Sequence, residues 1–277
     1  MHRADSERIA GLAAKKADCV ERTLGSYVLL SVLAGVYLGF GMALIFSVGG
    51  PLAAAGSPVV KLVMGASFGI ALTLVIFAGS ELFTGNNMVG AIGGLSKSIT
   101  WGQVAHINFW SWLGNLVGSL GVAWLIVESG VLSKGPAADL IDKVATVKMA
   151  LPAWELFVRG ILCNWLICLA VWMSARTSSE SAKIMLIFWC LFAFISIGFE
   201  HSIANQSLLG MALLLPHGAG VNWDGFWFNQ LFVVAGNVVG GGLFVGAAYW
   251  LAAPYWASGV VVPAVEAGVS PMAVRST

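Results

Sequence analysis

Two acidic residues of this chain stand where hydrocarbon should surround the backbone, and both sit in the same local pattern. Gly79-Ser80-Glu81-Leu82-Phe83-Thr84-Gly85-Asn86 and Gly198-Phe199-Glu200-His201-Ser202-Ile203-Ala204-Asn205 share Gly-x-Glu-x-x-x-x-Asn inside otherwise apolar stretches. An ionisable group at membrane depth marks a functional site, and irregular backbone survives there only where it lines a protein cavity. A half-helix restarting at such a break presents N–H groups at a partially positive end, which suits a small anion, and Asn86 and Asn205 are placed to cap it. The neighbouring polar side chains are hydroxyl, amide and imidazole: Thr84, Asn164, Ser202 and His201. A free carboxylate beside an anion path is costly, so Glu81 and Glu200 are read as holding the N–H groups of the broken loops together. His201 can exchange a proton near neutrality, or it can be a satisfied buried imidazole paired with Glu200 or a carbonyl; the residues alone leave both open.

The elements that must position these groups are membrane helices. Hydrophobic residues make up 58% of the chain, charged residues 10%, and the mean hydropathy is +0.88, which leaves too little polar surface for a soluble domain. A net charge of +1 with no basic stripe excludes a nucleic-acid partner and leaves membrane lipid as the surroundings. Residues 1–22 are charged and carry no apolar signal-peptide core, so no cleavage is expected. Cys19, Cys163, Cys168 and Cys190 form no Cys-x-x-Cys pair and read as small core residues.

Six spans fit the chain, at about 20 apolar residues per crossing. They fall at 27–49, 60–96 with a break at 81–87, 101–127, 152–175, 183–215 with a break at 199–205, and 225–252. Both termini then lie on one side. Arg3, Arg8, Lys15, Lys16, Arg22, Lys97, Arg176 and Lys183 outweigh Lys61, Lys134, Lys143 and Lys148 on the other, which places the termini in the cytoplasm of a cell (inner) membrane protein. Residues 1–24 read as an amphipathic interfacial helix, 25–252 as the membrane domain with repeats at 25–129 and 150–252, and 253–277 as a loose cytoplasmic tail.

The repeat goes beyond the breaks. Position 79 maps to 198, 119 residues on, and Gly114-Asn115-Leu116-Val117-Gly118 maps to Gly236-Asn237-Val238-Val239-Gly240, 122 residues on. Three spans per half is an odd number, so the halves should enter the membrane in opposite senses, an inverted repeat whose breaks meet near the midplane. The paired glycines read as close helix packing rather than a ligand site. Phe68, Leu72, Leu82, Phe83, Ile167 and Phe194 could constrict a pore, although spacing alone favours plain core.

These breaks, together with Asn164-Trp165-Leu166-Ile167-Cys168-Leu169-Ala170-Val171-Trp172, resemble the formate/nitrite transporter family over residues 22–251. The resemblance implies an aquaporin-like all-α protomer with broken second and fifth helices, a homopentamer with one pore per protomer, and passage of nitrite, formate, hydrosulfide or their acids. It also implies that Thr84 lies on the loop breaking the second helix, that His201 is the central imidazole with Asn164 as its pore-lining neighbour, and that Lys148 stands near the periplasmic vestibule. Leu72, Leu82 and Phe83 would form the cytoplasmic constriction, and Phe68, Ile167 and Phe194 the periplasmic one. The wording around Glu81, Cys163 to Trp172 and Cys190 to Asn205 leans toward nitrite members, whereas Gly240-Gly241-Gly242 with Tyr249-Trp250 is similar to formate members.

Energetics favours neutralising the cargo. A bare anion entering apolar constrictions loses hydration worth many kcal/mol, whereas protonating an acid of pKa about 4 at pH 7 costs roughly 4 kcal/mol. A membrane-embedded metal or haem enzyme would need several ligands at one depth, and only one His and two Glu are placed there, so no cofactor is expected. A neutral-solute channel of the aquaporin type is disfavoured by the lack of Asn-Pro-Ala in either half.

Overall fold

The computed structural model describes residues 2–253; the tail beginning at Pro254 lies outside the described residues. The described chain is all helical. In order come α1 (Arg3–Arg22), α2 (Leu24–Ala54), α3 (Val60–Ser67), α4 (Gly69–Phe77), α5 (Phe83–Leu95), α6 (Trp101–Glu128), α7 (Pro136–Ala150), α8 (Ala153–Ala175), α9 (Glu180–Ile197), α10 (Ser202–Leu214), α11 (Trp223–Val239), a π-helical turn (Gly240–Ala247) and α12 (Ala248–Leu251). Among the described residues, six segments are long and apolar enough to cross a membrane: Leu24–Ala54, Val60–Phe77, Trp101–Glu128, Ala153–Ala175, Glu180–Ile197 and Trp223–Leu251. The half-helices α5 and α10 follow the second and fifth of these.

Small residues let the long helices touch backbone to backbone, the packing that lipid-embedded helices favour. A Cβ on Gly35 would sit 2.2 Å from the Asn115 carbonyl oxygen, and one on Gly118 would sit 2.0 Å from that of Val32, so α2 and α6 cross with no room for a methyl group. The matching contact joins α8 to α11, where a Cβ on Gly236 would lie 2.2 Å from Phe157 O and one on Gly240 2.3 Å from Ile161 O. The packing expected of both glycine pairs is therefore what they do.

Nearly every residue of α5 and α10 is buried, so the half-helices are enclosed by longer ones. The apolar face of α1 (Ile9, Ala10, Ala13, Ala17, Val20) is buried as well: it joins a cluster with Met88, Val89 and Ile92 of α5, Val104 and Ile107 of α6, and Trp172. Leu12, on its other side, stays 38% exposed.

Candidate functional site

Each break is shorter than its sequence suggested. Only residues 78–82 and 198–201 leave the helix, with Gly79 at φ 75° and Gly198 at φ 96° making the left-handed turns that end the preceding segments. The N-caps are Leu82 and His201, both extended, and their carbonyls accept the first helical bonds from the N–H groups of Asn86 (3.0 Å) and Asn205 (2.8 Å). The expectation that Asn86 and Asn205 cap the half-helices is thus corrected. Thr84 likewise lies in the first turn of α5 rather than on the loop.

The helices restart that early because two asparagines outside the breaks satisfy their backbone. Asn115 accepts the Phe83 N–H at 2.9 Å and donates to the carbonyls of Ser31 (2.7 Å) and Glu81 (2.9 Å). Asn237 accepts the Ser202 N–H at 2.9 Å and donates to the carbonyls of Gly160 (2.8 Å) and Glu200 (3.1 Å). Each ties a loop carbonyl, the first N–H of a half-helix and a neighbouring long helix to one amide, so little buried hydrogen-bonding capacity is wasted. Sequence reasoning assigned these runs to packing and missed the amide; the repeated Gly-Asn-x-Val-Gly was the available signal.

The carboxylates therefore do not gather loop N–H groups, which corrects a second expectation. Each takes a cation and the amide of its own unit. Lys148 Nζ lies 2.7 Å from both oxygens of Glu200, and Asn205 Nδ2 donates to Glu200 Oε2 at 2.6 Å. Lys16 of α1 pairs with Glu81 Oε2, to which Asn86 Nδ2 also donates at 3.2 Å. Glu200 is 1% exposed, and a buried carboxylate needs a counter-ion and hydrogen bonds more than a loop needs a carboxylate. Asn205 also donates to Asn229 (2.9 Å), which donates back to the Lys148 carbonyl (3.1 Å) and closes a ring. In the first half, Asn86 donates to the Tyr27 hydroxyl (3.0 Å), which donates to the Ile107 carbonyl (3.1 Å). Lys16 and Tyr27 escaped notice because nothing in their sequence neighbourhood points at Glu81.

The two breaks meet at His201 and Thr84. His201 Nε2 lies 3.0 Å from Thr84 Oγ1, while its Nδ1 accepts the Ala204 N–H at 3.1 Å. Since Nδ1 uses its lone pair there, the proton of the neutral ring sits on Nε2 and points at the threonine. The imidazole is paired with neither Glu200 nor a carbonyl. Asn164 Nδ2 donates to the Thr84 carbonyl (3.1 Å) and to that of Asn237 (2.6 Å), so it links the threonine to the other half. Cys168, one turn along α8, also reaches the Thr84 carbonyl at 3.3 Å. Ser202 contributes its backbone to Asn237, and its hydroxyl has no partner among the described residues.

Apolar groups enclose this contact. The Phe194 ring stacks on His201 with centroids 6.0 Å apart, and Phe68 meets Phe194 edge-on at 5.7 Å. Phe68, Leu72, Leu82, Phe83, Ile167 and Phe194 all belong to one buried cluster. The arrangement offers a small guest an imidazole N–H and a hydroxyl at a junction of apolar walls, with a lysine–glutamate pair beside each break.

A family model described as formate/nitrite transporter matches residues 6–251. The chain is similar to the nitrite transporter NirC of Escherichia coli strain K12, at 45% identity over 242 residues, covering 87% of this chain and 86% of that protein. Among solved structures it is similar to an FNT family ion channel (TM-score 0.85, 42% identity, 90% of this chain and 98% of that one). It is also similar to a pentameric formate channel with formate bound (TM-score 0.73, 28% identity, 82% and 96%).

Proposed function

Because this chain belongs to the formate/nitrite transporter family, we propose that it carries a small monovalent anion or its conjugate acid, nitrite first, through a pore within each protomer. The observation that supports this reading most is the contact of His201 Nε2 with Thr84 Oγ1 where the two half-helices begin. NirC is named as a nitrite transporter, and its similarity favours nitrite over formate, the ligand of the more distant pentameric channel. Hydrosulfide is a third cargo of the same charge and size.

The His201 ring gives its Nε2–H to an arriving anion with no change of protonation, whereas a second proton on Nδ1 would displace the Ala204 N–H. Hydrogen bonding at Nε2, joined by the Thr84 hydroxyl, is therefore the role assigned to the pair, and Asn164 holds Thr84 in place. Lys148 and Lys16, half-buried and paired with Glu200 and Glu81, cancel the carboxylate charges, so that neither break repels an approaching anion. Leu72, Leu82 and Phe83 on one side and Phe68, Ile167 and Phe194 on the other exclude water and hydrated ions. A proton taken up with the anion removes the charge before these apolar passages. The halves are read as an inverted repeat, the assembly as a homopentamer in the inner membrane, and both termini as cytoplasmic.

The test is flux into liposomes loaded with purified protein, comparing nitrite, formate and hydrosulfide under imposed pH gradients. Nitrite uptake that rises when the outside is acidified supports acid or proton-coupled passage. Uptake no faster than in empty liposomes for all three sinks the proposal.

A further inference from the structure

The repeat that relates the two breaks also relates two pairs of amides with no part in the His201 site. Asn87 maps to Gln206, 119 residues on, and Asn108 maps to Gln230, 122 residues on, the same offsets that relate the breaks and the Gly-Asn-x-Val-Gly runs. In the second half the amides touch. The Ser202 carbonyl can only accept, so Gln230 turns its Nε2 to it (3.1 Å), and Gln230 Oε1 then accepts from Gln206 Nε2 (3.2 Å). In the first half they do not: Asn87 Nδ2, Asn87 Oδ1 and Asn108 Oδ1 are all buried without a hydrogen-bond partner among the described residues. Asn87 is 3% exposed.

Three observations put these asparagines in one region of the fold. Helix α5 is followed back along the start of α6: a Cβ on Gly93 would sit 2.9 Å from Cγ1 of Ile99, just before α6, and one on Gly90 would sit 2.9 Å from Val104 Cγ1 within it. One further turn along both helices reaches Asn87 and Asn108. The Tyr27 hydroxyl already bridges the adjacent residues, Asn86 and Ile107. The π-helical turn then closes the side with glycine: a Gly241 Cβ would sit 3.1 Å from the Asn87 Cβ, with Asn164 Nδ2 at 2.6 Å and Cys168 Sγ at 2.8 Å beside it, and a Gly242 Cβ would find its nearest atoms 3.8 Å away. The positions that match Gly241 and Gly242 in the first half of the repeat are Ser119 and Leu120. Where the second half has two glutamines, the first has two shorter amides, and where the first half has serine and leucine the second has two glycines.

We propose that Asn87 and Asn108 hold a resident water in a pocket between α5, α6 and the π-helical turn, joined through it as Gln206 and Gln230 are joined directly. A whole amide left dry would forfeit its hydrogen bonds at a cost natural interiors rarely bear, and a polar gap two methylenes wide is the setting in which buried water occurs. Asn87 lies one turn beyond Thr84 on α5, so the water fixes the half-helix that presents the threonine. The water lies behind Thr84, on the side of α5 that faces the π-helical turn, and does not depend on which anion is carried.

The experiment is an experimental density map of the full-length protein at a resolution that shows ordered water, with melting of two variants measured beside it. The expected map has a single peak within hydrogen-bonding distance of the Asn87 amide and Asn108 Oδ1. Asn87→Leu, which expels the water and strands Asn108, is expected to lower the melting midpoint by about 2–4 °C, roughly the shift for one lost hydrogen bond in a chain of this size. The double change Asn87→Gln with Asn108→Gln is expected to stay near the parent. An empty pocket, a lipid or detergent atom in it, or an Asn87→Leu protein that melts higher than the parent overturns the proposal.

Discussion

Asn115 and Asn237 make the same three hydrogen bonds in the two halves of the chain, each accepting the first N–H of a half-helix and donating to the carbonyl of the glutamate in its break and to that of a neighbouring long helix. Neutral amides thus fasten the backbone of the breaks, which frees the carboxylates of Glu81 and Glu200 to hold lysines. Separating the two tasks lets the loops keep their shape independently of the charge state nearby.

Asn237→Leu leaves the Ser202 N–H and the Glu200 carbonyl without this partner in a dry interior, while the Gly160 carbonyl keeps its bond within α8, at about 1–3 kcal/mol for each stranded group. A melting midpoint at least about 5 °C below the parent is expected, with Asn115→Leu behaving alike. An unshifted midpoint for either variant in the same detergent would remove the amides from this role.

Breaking a buried ion pair from one side costs more than removing it whole. Lys148→Met alone is expected to destabilise by about 3–5 kcal/mol, because Glu200 then keeps an uncompensated charge. Lys148→Met with Glu200→Gln should recover most of that loss. Denaturation of the two single variants and the double gives the coupling energy, and strictly additive effects would show that the contact carries no weight.

His201 has two jobs that different substitutions separate. Asn is a strong N-cap and can still accept the Ala204 N–H, whereas Ala cannot, at a cost of about 0.5–2 kcal/mol. Both His201→Asn and His201→Ala should lose most nitrite flux, since neither places a donor at the Nε2 position, yet only the alanine variant should melt lower. Parent-like flux in a folded His201→Ala protein would rule out the imidazole as the pore contact.

Thr84→Val keeps the shape of the side chain and deletes the hydroxyl that meets His201, so substrate flux should fall with little change in melting. Leu82→Ala should instead raise leak of poorly selected solutes. If Leu82 only packs the protomer, truncation lowers stability and leaves selectivity untouched, and melting and selectivity measured on one preparation tell the two apart.

The sequence by itself determined the class, the span count and the location of both breaks, because hydropathy over about 20 residues and a Gly-x-Glu in an apolar run are local signals that bilayer thickness and desolvation make unambiguous. It also exposed the repeat, since two matches in one order need no coordinates. It could not say who satisfies whom. The pattern made Asn86 and Asn205 look like caps, while the caps are Leu82 and His201, because amides 32 and 35 residues further along the chain reach the first N–H groups before the nearby asparagines could. Lys16 joining Glu81 across 65 residues and His201 meeting Thr84 across 117 residues were equally out of reach of local reading. In a membrane interior every polar atom must find its partner within the protein, and only the packing of distant helices decides which partner comes within 3 Å.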